Sequence, residues 1–156
     1  MIATGGPSAL PVNDALPNSP WWPEVLFSAY REASRIDRTA SDPQAYAELS
    51  EAIGAVNAQL AGWLGNAMAL NPGVTKLEDI PHPDHQPAGY YAERYRRAVF
   101  CAADALLTEK YRNFDSTADG DRRADAMENP IDAYRRESQY AIADITGKRR
   151  RQVELL

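Results

Sequence analysis

AVFCAADALL, residues 98–107, turns apolar side chains to nearly every side of a helix. A helix with one solvated face would not tolerate that, so the run reads as the most enclosed element of an all-α fold. It lies within a helix expected over residues 88–113, which opens with Tyr90, Tyr91 and Tyr95. Asp104 is the one carboxylate in the run. It stands either on a narrow polar seam, the favoured reading because unpaired buried carboxylates are rare, or in the core with a partner, where burial raises its pKa.

Outward from this segment, the flanking sequence supplies helices to enclose it. Ser41 suits a cap and Pro43 a first turn, and Tyr46, Leu49, Ile53, Val56, Leu60 and Trp63 then recur at steps of three and four. That is one apolar stripe on a helix over residues 42–69, stopped by Asn71, Pro72 and Gly73. Leu26, Phe27 and Tyr30 mark a shorter helix over residues 26–34. Just before it, the paired Trp21 and Trp22 should cover a core edge, becoming a contact site only where exposed.

On the other side, Ala124, Met127, Ile131, Tyr134, Ser138, Ala141 and Ile145 form a seam suited to antiparallel packing on a helix over residues 121–146. Pro130 should bend that helix or split it near Asn129, and Gly147 suits a left-handed cap. The expected architecture is a compact bundle of three long helices plus a short N-terminal helix, with extended tails at both ends. An arm over residues 1–20, punctuated by Pro7, Pro11, Pro17 and Pro20 and read as extended or disordered, either a loose terminus or a segment that docks on a neighbouring subunit, precedes a helical domain over 21–147 and a docking tail over 148–156.

Composition narrows the function. The 156 residues fit one domain with a real core. The net charge of -5, from 22 acidic against 17 basic residues, argues against a generic phosphate-gripping surface. A single cysteine, Cys101, excludes an internal disulfide and a Cys-rich zinc site. No apolar run approaches the roughly 20 residues of a membrane span, and the N-terminus lacks a signal pattern. The chain reads as soluble and not secreted.

Three apparent chemical motifs weaken on inspection. From Asp115, a calcium loop would place Thr117, Asp119, Gly120 and Asp121 correctly, but Ala126 falls where the closing carboxylate belongs. Arg122 and Arg123 add cations to the same loop, so a polar turn between helices accounts for it better. His82 and His85, the only histidines, sit among prolines with no second ligand cluster. Cys101 lies in mid-helix, away from any activating cation or helix start, and reads as an inert thiol. With no phosphate loop, serine elbow or paired Glu-x-x-His motif, no active site, metal or cofactor is expected.

Several longer stretches together carry a resemblance. YRRAVFCAADALLTEKYRNFDSTADGDRRAD (95–125), DAYRRESQYAIADITG (132–147), the terminal VELL, AIGAVNAQLAGW (52–63) and the WWP of residues 21–23 resemble, in order and spacing, the head completion proteins of contractile-tailed bacteriophages, the GpL type. The match runs from Trp21 to Leu156 and is weakest over residues 64–88. Pro130 departs from the expected pattern.

The resemblance implies a helical connector adaptor of the virion neck and not an enzyme. Such a protein binds beneath the portal ring once DNA is packaged, forms a twelve-fold ring with neighbouring copies, and offers a platform to a downstream neck or tail-terminator protein. It lies near packaged DNA without specific binding and contacts no membrane. On this reading Lys148, Arg149, Arg150 and Arg151 meet acidic portal residues, Val153, Leu155 and Leu156 anchor the tail, and Trp21, Trp22, Arg122 and Arg123 serve subunit or neck contacts. Arg94, Arg96, Arg97, Arg135 and Arg136 are expected to pair with acidic residues on adjacent faces or subunits. A helical DNA-binding or regulatory protein is the alternative. It would call for one basic recognition helix, whereas the basic residues here are scattered over two long helices.

Overall fold

The structure, a computed structural model, describes residues 14–34, 36, 40–114 and 129–150, with the side chains of 112–114 left aside. Among them the fold is all-α. Helix α1 spans Phe27–Ala33, α2 spans Asp42–Leu70, α3 spans Tyr90–Phe114 and α4 spans Pro130–Thr146, with a short 3-10 turn at Leu77–Asp79. The only β pairing among the described residues is a single antiparallel bridge between Ala15 and Leu26.

The local signals explain the helix ends. At the start of α2 the Ser41 hydroxyl accepts from the Gln44 amide, the Gln44 side chain accepts from the Ser41 amide, and Pro43 lies in the first turn. At its far end Asn71 caps, and Gly73, at φ +89°, takes the left-handed turn into the connection that follows. Helix α4 begins with the Asn129 side chain accepting from the Ile131 amide at 3.1 Å. Pro130 is therefore in the first turn, where its missing N–H costs nothing, and not in a helix interior. The expected break near Asn129 is present, and Gly147, at φ +72°, closes the helix as expected. The expected residues 121–128 of this helix, like the calcium-like loop, lie outside the described residues.

Helix α3 is the shared element: it packs along both α4 and α2, which touch each other only slightly. Tyr95, Ala98, Val99, Ala103 and Leu107 are fully buried against Leu49, Val56 and Leu60 of α2 and Ala141 and Ile145 of α4. Ser138, on the α4 seam, donates to the Ala98 carbonyl at 2.8 Å, so even its polar member is satisfied inside. Ion pairs fasten the outer edges of the α3–α4 contact, with Arg97 on Glu137 at 2.8 Å and Arg135 on Glu109 at 3.0 Å. Arg97 and Arg135 thus pair across adjacent faces as the sequence suggests, and so does Arg94, 3.5 Å from Asp144, whereas Arg96 donates to the Glu24 carbonyl.

Two expectations need correction. The arm does not extend to residue 20: Leu16 is buried, its amide donates to Val25 O at 2.9 Å, and the Phe27 amide donates to Asp14 O at 2.8 Å. Residues 14–20 belong to the folded body because Leu16 has apolar surface to cover and α1 has amides to satisfy. Asp104 is not on a solvated seam. It is only 6% exposed, and the hydroxyls of Tyr30 in α1 and of Ser34 just after it partner it.

Candidate functional site

Three polar constellations and one terminal surface account for the side chains that stand out chemically. The first is Asp104. Its Oδ1 accepts from the Tyr30 hydroxyl at 2.8 Å and from the Ser34 hydroxyl at 2.7 Å. Desolvation raises its pKa above the ordinary carboxylate value, and the two hydroxyl donors pull the other way. Burial likewise raises the Tyr30 pKa, helped by the neighbouring carboxylate. The arrangement ties the end of α1 to the middle of α3.

The second is a closed ring of three hydrogen bonds. Asn18 Nδ2 donates to the Tyr95 hydroxyl at 2.9 Å, that hydroxyl donates to Asn57 Oδ1 at 2.7 Å, and Asn57 Nδ2 donates to Asn18 Oδ1 at 2.9 Å. Each member both gives and accepts, so the segment before α1, α2 and α3 are joined with the bonding capacity of the phenol filled. Burial pushes the Tyr95 phenol up to about 12. Trp22 lies flat on the Tyr95 ring, with centroids 5.1 Å apart and planes 4° from parallel.

Both tryptophans are buried. Trp22 belongs to this stack, and the Trp21 carbonyl accepts from the Leu77 amide at 3.0 Å, pinning the connection between α2 and α3. Sequence reasoning made contact residues of Trp21 and Trp22 on condition of exposure. That condition is not met, because the apolar edge they cover is their own chain's. Arg122 and Arg123 lie outside the described residues.

The third is the buried Glu48 carboxylate of α2, which receives the Lys110 ammonium of α3. A lone buried charge would be costly, and the lysine, whose side chain is 65% exposed, supplies its partner. Cys101 is half-buried, with its thiol pushed up to about 11 chiefly by burial, which leaves little thiolate at neutral pH. His82 rests its Nδ1 on the Pro83 carbonyl, and among the described residues no group of His, Cys, Asp and Glu is placed to hold a metal ion. No described helix is long and apolar enough to cross a membrane.

The terminal surface lies beyond α4. Lys148, Arg149 and Arg150 are exposed, and Arg151, Val153, Leu155 and Leu156 fall outside the described residues. Arg150 turns back onto α4. It grips Asp144 with two nitrogens, at 3.1 and 2.8 Å, and lies 4.9 Å over the Tyr140 ring. Lys148, Arg149, Arg150 and Arg136 line one open groove with Gln59, Gln139 and Tyr140. The Asn18–Asn57–Tyr95 ring carried no sequence signal. Only the fold brings Asn57 to its partners, 39 and 38 positions away.

Polar chemistry is thus spent inside the molecule on fixing helices to one another, while an exposed basic end continues past the last helix. Those features define a small all-α module. The chain belongs to the phage head completion protein (GPL) family, which matches residues 16–156. It is similar to the head completion/stabilization protein of Escherichia phage P2, with 31% identity over 133 residues that cover 85% of this chain and 78% of the relative. No solved structure matches. The family assigns the chain a structural role in the phage head and makes it a component of the virion.

Proposed function

We propose that the chain is a neck adaptor. It docks beneath the portal ring after DNA packaging, forms a ring with copies of itself, completes and stabilises the head, and offers a platform to later neck or tail proteins. It carries no catalytic role. Docking runs through the C-terminal end, with Lys148, Arg149 and Arg151 meeting acidic portal residues and Val153, Leu155 and Leu156 filling apolar pockets.

The observation that supports this reading is the exposed basic turn after Gly147, where Lys148 and Arg149 face solvent and Arg150 clamps Asp144. Repetition of a modest contact around a ring makes the whole attachment tight.

Purified protein mixed with portal rings from the same phage should co-sediment and saturate near one copy per portal subunit. Removal of residues 152–156 should abolish binding and leave the helical circular dichroism intact. Unchanged binding after that removal would sink the tail reading. A lack of binding by the full chain to well-assembled portals would sink the adaptor reading itself. Shared occupancy of one groove by Arg136 and Lys148 to Arg150 favours, as the second reading, a DNA phosphate partner. A gel shift at moderate salt separates the two.

A further inference from the structure

Charge is distributed differently along the two edges of α4. Where α4 meets α3 the cations are matched, Arg97 by Glu137 and Arg135 by Glu109. Where α4 faces α2, an open groove of about 470 Å³ is lined by Arg136, Lys148, Arg149 and Arg150, and no carboxylate stands among its lining residues. The chain as a whole has a net charge of -5, so this excess of cations is local, and it complements an anionic occupant.

We propose that this groove seats an acidic, extended peptide segment of a partner protein, with its carboxylates along Arg136, Lys148 and Arg149 and its backbone against Gln59 and Gln139. Gln139 Nε2 donates to Gln59 Oε1 at 2.8 Å, which joins α4 to α2 and leaves the Gln59 amide hydrogens as donors and the Gln139 oxygen as an acceptor on the groove wall. A peptide backbone offers a partner to both, whereas a phosphate oxygen only accepts. The net charge of -5 also repels a duplex, with about one negative charge per 1.7 Å, more strongly than it repels a short acidic segment. Arg150, its charge offset by Asp144, counts least among the four cations. The seat extends the docking surface of the proposed adaptor from the terminal turn onto α2 and α4, and it rests on that reading for the partner's identity alone.

Gln59 provides the test because it lies on α2, outside the terminal turn, and Gln59→Glu keeps the oxygen that Gln139 uses while adding a negative charge to the groove. The probe is fluorescein-labelled octaglutamate, followed by anisotropy on the full-length protein at low salt. Gln59→Glu should weaken its binding about fivefold, and Arg136→Gln about threefold. Ser50→Glu adds the same charge at an exposed position about two and a half turns earlier on α2 and should leave binding within about twofold of wild type. No binding of the peptide by wild type, or equal losses in Gln59→Glu and Ser50→Glu, would overturn the proposal. So would a duplex oligonucleotide that binds more tightly than the peptide and loses as much on Gln59→Glu, since the groove would then belong to phosphate. Portal rings that bind wild type and Gln59→Glu equally would overturn the seat and leave the adaptor reading standing; peptide binding in the groove without any portal binding would do the reverse.

Discussion

The Tyr30 hydroxyl donates to Asp104 Oδ1 at 2.8 Å, joining residues 74 positions apart and fixing α1 on the middle of α3. Replacing Asp104 by Ala leaves that hydroxyl and the Ser34 hydroxyl without their acceptor. A buried donor stripped of its partner costs about 1–3 kcal/mol, so Asp104→Ala should lower the unfolding free energy by roughly 2–4 kcal/mol. Urea denaturation followed by circular dichroism measures it. A loss under 1 kcal/mol would mean that water satisfies both hydroxyls.

The same carboxyl gives a pH signature. Its folded pKa is raised above the ordinary value of 3.8, chiefly by desolvation, so between those two values the folded state holds the proton more tightly than the unfolded state. Its contribution is therefore fully present below 3.8 and is lost as pH rises through the folded pKa. Asp104→Asn keeps an acceptor oxygen and cannot ionise. It should be more stable than wild type at neutral pH, with the gain closing on acidification. Thermal melts of both proteins across that range decide it, and a constant difference would refute the ionisation argument.

Tyr95 predicts the opposite end of the scale. Its phenol, pushed from 10.0 up to about 12 by burial, contributes stability that is fully present below pH 10.0 and lost as pH rises through about 12. Wild type should lose stability over that interval more steeply than Tyr95→Phe. At neutral pH the same variant breaks the Asn18–Tyr95–Asn57 ring and should cost about 1–3 kcal/mol. Urea titrations at neutral and alkaline pH test both halves.

These groups also show what the sequence made legible. Helix positions followed from spacing, because Leu49, Ile53, Val56 and Leu60 must share a face whatever they pack against. Gly147 and Ser41 were readable for the same reason: a cap is a local event. Asp104 was misjudged because its neighbours in sequence do not show which side of an all-round apolar helix receives hydroxyls from α1. Trp21 and Trp22 are enclosed for a related reason, since the groups that meet them, Tyr95 and Leu77, lie far along the chain. Arg150, which turns back on Asp144, was not separable by sequence from Lys148 and Arg149 beside it.

The cap of α4 offers a small, well-bounded change. Asn129→Ala removes the acceptor for the Ile131 amide and should cost about 1 kcal/mol, the usual value of an N-cap. Pro130→Ala should fall within about 0.5 kcal/mol of wild type, since a first-turn proline loses no helix hydrogen bond. If Pro130 instead lay inside a continuous helix, its replacement would stabilise the protein markedly, by up to about 3 kcal/mol. Thermal melting of the two single variants distinguishes these arrangements.

Arg150 and its two neighbours should differ in how they serve an acidic partner. Arg150 already holds Asp144 through two nitrogens, so its charge is largely neutralised on the chain itself, while Lys148 and Arg149 stand exposed. Reversing both, Lys148→Glu with Arg149→Glu, should slow association with portal rings roughly tenfold at low salt, and the gap should close as salt screens it. Arg150→Gln should leave the salt dependence nearly unchanged and act on release, because its charge is already paired with Asp144 and steers little. Stopped-flow or surface-based kinetics at two ionic strengths separate the effects. Equal salt slopes for wild type and the double reversal would remove electrostatics from the docking mechanism and leave it to the apolar residues Val153, Leu155 and Leu156.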